Sequence, residues 1–166
     1  RVKLTPGLRY DHYQQDPKPT GDFANNINPA NDQTLQASSD HKLSASLLAT
    51  WQVAEEALLY AQWAQGLKAP DATQLYMNYG AEGSYLRLGN ADLKPEISVN
   101  KEIGLLYDRG TWRTSATYFR NDYKNKIESG LSPIGQAVGG TGDYANAGIY
   151  QWENVPKALV EGLEGT

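Results

Sequence analysis

Lys42-Leu43-Ser44-Ala45-Ser46-Leu47-Leu48-Ala49-Thr50-Trp51-Gln52-Val53, then Ala54-Glu55-Glu56, then Ala57-Leu58-Leu59-Tyr60-Ala61-Gln62-Trp63-Ala64-Gln65-Gly66 is the stretch from which the fold is read. In its first run Leu43, Ala45, Leu47, Ala49, Trp51 and Val53 occupy every second position. Lys42, Ser44, Ser46, Thr50 and Gln52 lie between them, and Leu48 is the exception. A period of two is the mark of a strand with one dry side. After the Ala54-Glu55-Glu56 connection, Ala57, Leu59, Ala61 and Trp63 again oppose Tyr60, Gln62 and Ala64. Two such strands joined by a tight turn make a hairpin.

The same pattern extends in both directions from this hairpin. Upstream, Val2, Leu4, Pro6, Leu8 and Tyr10 alternate with Lys3, Thr5, Gly7, Arg9 and Asp11. Downstream, Ile97, Val99, Ile103, Leu105 and Tyr107 alternate with Ser98, Asn100, Glu102, Gly104 and Asp108, with Lys101 interrupting the dry face. Arg109-Gly110-Thr111 closes a second tight turn into a fifth strand, Trp112 to Lys124, with Trp112, Thr114, Ala116 and Tyr118 set against Arg113, Ser115 and Thr117. A sixth strand is expected near Val155 to Glu164, its facing open. No segment holds a 3.6-residue period for more than about two turns, so helical readings fail.

The connections alternate as regularly as the side chains. Gln15 to Asp40, Ala69 to Glu96 and Ser129 to Trp152 are long and rich in Asn, Asp, Pro or Gly, whereas the two connections between them are a few residues each. Loops beyond about 12 to 15 residues are uncommon in compact domains. Three on one side of a sheet suit an outer-membrane barrel, with its short periplasmic turns and long extracellular loops. The fold class expected is therefore all-β, an antiparallel transmembrane β-barrel. Six strands joined only to neighbours leave two open edges, so the chain reads as a piece of a larger barrel. Its start at Arg1, without Met or a signal peptide, points the same way.

Composition agrees. Eleven Tyr and four Trp outnumber two Phe and one Met, and rings with a polar tip suit positions with one dry and one wet end, as in the aromatic girdles of membrane barrels. Ordinary soluble β-proteins also use Tyr in strands. Mean hydropathy is −0.60, yet a spanning strand needs only about 10 residues with every second one facing lipid. The net charge of −4, with fifteen scattered Lys and Arg, argues against nucleic-acid binding. Without cysteine, disulfides, thiolate metal sites and cysteine nucleophiles are excluded.

The order and spacing of several motifs resemble the C-terminal barrel half of TonB-dependent outer-membrane receptors. They are Gly66-Leu67-Lys68-Ala69-Pro70, Gln74-Leu75-Tyr76, Gly89-Asn90-Ala91-Asp92-Leu93-Lys94-Pro95-Glu96-Ile97-Ser98 and Asn100-Lys101-Glu102-Ile103-Gly104-Leu105. Leu4-Thr5-Pro6-Gly7-Leu8-Arg9-Tyr10-Asp11, Tyr118-Phe119-Arg120-Asn121-Asp122-Tyr123 and Gly162-Leu163-Glu164 add to the likeness, so that residues 1–166 read as part of one receptor barrel domain. The resemblance implies a barrel of about 22 strands around a plug domain, residence in the bacterial outer membrane among its lipids, and dependence on the TonB energy-coupling protein through a segment upstream. It implies an imported iron ligand, haem or haemoprotein-derived haem first and a ferric siderophore second, with no enzymatic role. A structural or adhesion barrel would share the strand pattern without a plug-coupling segment.

Haem receptors of this family tend to carry Phe-Arg-Ala-Pro and Asn-Pro-Asp-Leu motifs around one extracellular loop. Leu67-Lys68-Ala69-Pro70 and Asn90-Ala91-Asp92-Leu93 stand in those places, but no His lies between Asp71 and Gly89. Tyr76, Tyr79 and Tyr85 do lie there, and a phenolate can ligate ferric haem iron. Tyr76 or Tyr85 is the candidate iron ligand. Lys68, Asp71, Arg87 and Lys94 are candidate contacts for haem propionates or siderophore carboxylates; loop tyrosines and solvated charges are the plainer reading of both sets.

Other chemistry is weaker. His12 and His41 flank the first long loop without the spacing of a metal pair. Gly139-Gly140-Thr141-Gly142 lacks the Lys-Ser/Thr of a phosphate loop. Glu96 and Glu102 are about 20 Å apart on an extended strand, too far for paired acid-base work. Arg9, Asp11, Asn100, Glu102 and Asp108 are expected on the wet inner wall.

Overall fold

The computed structural model of the chain describes residues 1–18, 36–131 and 148–166. Six long strands carry the fold: β1 (Val2–Gln15), β2 (Ser38–Gln52), β3 (Ala57–Lys68), β6 (Glu96–Asp108), β7 (Arg113–Leu131) and β8 (Gly148–Gly165). Each pairs antiparallel with the next in sequence. The second long connection adds a one-turn helix, α1 (Ala72–Tyr76), and two short strands, β4 (Tyr79–Ala81) and β5 (Tyr85–Leu88). The sheet order is β1-β2-β3-β6-β7-β8-β5-β4.

Two strands run further than alternation suggests. The fifth continues past Lys124 to Leu131, and the sixth begins at Gly148 rather than near Val155. These extensions pair with each other, Lys126 with Val155 through Leu131 with Tyr150, and the start of β8 also pairs with β5. They stand at the long-loop end, where lipid no longer imposes a period of two. Trp112 falls in the turn instead of the strand, its carbonyl accepting from the Arg109 N–H.

The side chains sort as the alternation requires. Cross-strand register puts Leu4 with Ala49, Ala61, Ile103, Tyr118 and Leu163 on a single face. That face is bare: Leu8 is 77% and Leu163 81% exposed. Leu75, Tyr76, Leu86, Leu88, Leu93, Ile127 and Ile149 are buried, and none of them lies in the stripe. A soluble sandwich would bury the stripe, whereas a barrel wall offers it to lipid.

Aromatic residues edge this stripe. Tyr10, Trp63 and Tyr118 stand exposed at its long-loop side, with Trp51 and Trp112 toward the short turns. Followed through the register toward the short turns, Trp63 lies four residues below Tyr10 and Tyr118 two below that, over four strand-to-strand steps. With about 3.3 Å per residue and about 4.8 Å between strands the slope is about 45°, close to the tilt of barrel strands. The slanted series is a level ring on tilted strands. Lys101, which interrupts the dry face, sits just beyond the ring and donates to Asp122 at 2.9 Å, and Arg120 donates to the same carboxylate.

The opposite face is polar and shaped by glycine. A Cβ on Gly104 would come within 2.4 Å of the Tyr60 ring, which lies across the glycine so that its hydroxyl meets Thr117 Oγ1 at 2.8 Å. Gly162 receives Phe119 in the same way, at 2.8 Å. Gly104→Ala is expected to expel Tyr60, break the Thr117 bond and destabilise the refolded barrel by about 1–3 kcal/mol. Adding Tyr60→Ala should relieve the clash, so urea unfolding of single and double variants would show strong non-additivity.

Candidate functional site

The second long connection folds into a compact unit over the upper, long-loop end of the sheet. Asp71 starts α1: its carboxylate accepts from the Gln74 N–H at 2.8 Å while the Gln74 side chain accepts from the Asp71 N–H, a reciprocal cap that satisfies two free donors. Leu75 and Tyr76 then pack with Leu93, Ile127, Ala91 and Trp152. β4 and β5 turn back at Gly83, whose φ of +68° suits glycine. β5 then runs parallel to β8, Leu86 opposite Ile149, and Leu86, Leu88 and Ile149 form a second small core.

The motif residues fasten this unit. Pro70 is fully buried, and its carbonyl accepts from Gln15 Nε2 at 2.6 Å; Ala69 precedes it at the end of β3. Asn90 donates from Nδ2 to the Trp152 carbonyl at 2.9 Å and accepts from the Asp92 N–H at 3.0 Å, a local turn that aims Leu93 inward. Asn154 accepts from the Lys94 N–H at 2.8 Å and donates to the Lys94 and Asn125 carbonyls. Pro95 is buried beside this clamp.

Glu96 is 8% exposed and accepts from the Ile127 N–H at 3.2 Å and from Lys68 Nζ at 3.1 Å. β6 stops here while β7 continues, so the carboxylate takes up a ladder donor that a strand would otherwise satisfy. Glu102 and Gly104 belong to the inner wall below, opposite Phe119 and Thr117 on β7.

The candidate ligand residues separate into two groups. Tyr76 is 6% exposed and donates to the Gln36 carbonyl at 2.7 Å; burial pushes its pKa up, with Asp16 adding to the shift, and both effects oppose a phenolate. Tyr79 and Arg87 face each other across the β4–β5 ladder. The guanidinium donates to the Tyr79 hydroxyl at 3.0 Å and lies 5.6 Å from the centre of that ring and 5.2 Å from that of Trp152. Tyr85 is half-buried near the hairpin turn, opposite Ala81 and beside Gly148. Lys68 is engaged by Glu96 and Asp71 by α1; the Lys94 side chain is exposed.

Sequence reading missed Trp152, which touches both groups through a strand about 65 residues away in the chain. His12 and His41, read as flanking the first long loop without metal-pair spacing, stand directly opposite each other in the β1–β2 register. No group of three or more His, Cys, Asp or Glu able to hold a metal ion occurs among the described residues. Gly139 to Gly142 lie outside the described residues.

A bare apolar stripe on tilted strands, a polar inner face and loops gathered at one end make a barrel wall. A family model described as TonB dependent receptor-like, beta-barrel matches residues 1–166. The chain belongs to the TonB-dependent receptor β-barrel family. It is a bacterial outer-membrane protein. The Ferric enterobactin receptor of Pseudomonas aeruginosa is 48% identical over 98% of this chain, and the Ferrienterobactin receptor of Escherichia coli is 39% identical over 98%. A solved variant of the ferric enterobactin receptor from Pseudomonas aeruginosa, in complex with enterobactin, superposes with a TM-score of 0.63 at 42% identity over 99% of this chain. A Heme/hemopexin utilization protein C of Haemophilus influenzae is 27% identical over 99%. The chain spans 20% and 19% of the two enterobactin receptors and 22% of the solved variant.

Proposed function

We propose that this chain is part of a TonB-dependent receptor that captures a ferric siderophore of the enterobactin type at its extracellular loops and passes it inward. The observation that carries the reading is the 48% identity, over nearly the whole chain, to a relative named for ferric enterobactin. Haem, set first by the sequence motifs, moves to second place, since the haem-named relative is 27% identical and Tyr76 is buried with its hydroxyl engaged. Tyr85 remains the tyrosine of the three best placed to meet a ligand. The chain's own residues supply wall, loop scaffold and contacts and perform no chemical conversion. Lipid covers the apolar stripe, a plug domain fills the polar side, and the TonB protein provides the energy.

The test is binding by the full-length receptor in detergent. Ferric enterobactin is expected to quench tryptophan fluorescence saturably, while haem under the same conditions leaves the Soret band unshifted. A shifted Soret band without quenching by ferric enterobactin would restore the haem reading.

A further inference from the structure

The upper end of the β1–β2 ladder holds the two histidines of the sequence, set directly opposite each other. They share the register parity of Tyr10 and Leu43, so both imidazoles stand on the outer face, and both residues are exposed. Antiparallel pairs alternate between those that exchange backbone hydrogen bonds and those that do not. The Gln52 N–H donates to the Arg1 carbonyl at 2.9 Å, which makes that pair a bonded one, and the register runs unbroken from Val2 with Trp51 to Gln15 with Ser38. Counted in twos from Arg1, His12 with His41 is a non-bonded pair. The His41 N–H agrees, since the Asp40 carboxylate takes it at 2.7 Å in place of an acceptor on β1.

Non-bonded pairs bring side chains closest, with Cα atoms about 4.5 Å and Cβ atoms about 4.5–5.5 Å apart. Two nitrogens held by one tetrahedral ion, each about 2.0–2.1 Å from it, stand about 3.3 Å apart. Facing imidazoles reach that span by inclining toward each other. The Tyr10 ring, its centre 6.3 Å from that of the His41 ring, borders the pair on the membrane side. His12 lies about 7 Å beyond Tyr10 along the strand, outside the aromatic edge of the apolar stripe, where hydrated ions have access.

We infer that His12 and His41 form a two-imidazole site for a late first-row divalent cation, Zn2+ or Cu2+, which clips β1 to β2 at the membrane edge. Imidazole suits these ions, whereas Mg2+ and Ca2+ take oxygen ligands. Two protein ligands leave the other positions to water, so the site stays open to exchange, unlike a closed structural centre. The clip pins the strand ends beside Gln15 and Gln36, which hold segment 69–95 through Pro70 and Tyr76. The inference is independent of which iron ligand the receptor takes.

The experiment titrates Zn2+ into the untagged full-length receptor against a chromophoric chelator, wild type beside His12→Gln, His41→Gln and the double variant. The wild type is expected to bind a tight equivalent of Zn2+ that each single variant loses, the remaining imidazole binding about a hundredfold or more weaker once the second, tethered ligand is gone. The double variant should lose little more than either single one, the mark of a shared ion. Excess Mg2+ is expected to leave Zn2+ binding unchanged. Zn2+ should also slow hydrogen exchange at the upper ends of β1 and β2 in the wild type and in none of the variants. Zn2+ affinity unchanged in both single variants, or independent losses that simply add in the double one, overturns the site.

Discussion

Leu105→Arg in the full-length receptor is expected to destabilise the assembled barrel by about 2–4 kcal/mol, the cost of a cation near the middle of the lipid-facing band. Leu105 lies on the bare apolar face, in register with Leu59 and Ala116. A charge there has lipid around it and no acidic partner in the paired positions. Glu102→Gln, three residues away but on the inner face, should cost about 1 kcal/mol or less. Equilibrium urea unfolding of barrels refolded into lipid vesicles makes the comparison. Equal costs for the two substitutions would contradict the assignment of faces, and with it the barrel.

Glu96→Ala is expected to loosen the second extracellular loop by about 1–3 kcal/mol, because the Ile127 N–H loses its acceptor in a buried place. Glu96→Gln retains an oxygen acceptor and should recover most of the loss. Lys68→Met should do little, since the Lys68 side chain is 63% exposed and an ion pair so open to water is weak. Hydrogen exchange at the Ile127 amide, expected to quicken about tenfold or more in Glu96→Ala, reads the effect directly. An Ile127 amide as protected in Glu96→Ala as in the wild type would show that the carboxylate is not its partner in solution.

What could be read without coordinates follows from what the environment imposes on the chain. Lipid on one side enforces a period of two, so β1, β2, β3 and β6 and the short turns were legible from Leu, Ala and Trp spacing alone. Above the membrane that constraint ends: Asn125 to Leu131 and Gly148 to Asn154 look like loop yet extend a ladder. β4 and β5 are too short to carry a pattern, and β5 is held by parallel pairing to residues about 60 positions away.

The site was legible in the same uneven way. Asn90, Lys94, Pro95 and Glu96 were marked by family likeness as a motif, but only geometry gives them a fastening role. Arg87 was recognised as a loop charge; only the fold sets its guanidinium over the Trp152 ring. His12 and His41 illustrate the reverse, being juxtaposed by a register that no local spacing encodes.

The fastening of the second loop at three separate places in the chain bears on how such receptors diversify. Segment 69–95 is tied to Gln15 of β1, to Gln36 before β2 and to Asn154 of β8. Transplanted alone into a sister scaffold, it would arrive without its moorings and take another shape. Exchange of specificity between relatives thus calls for moving the anchoring positions together with the segment, a correlated set that sequence recombination within one loop cannot deliver.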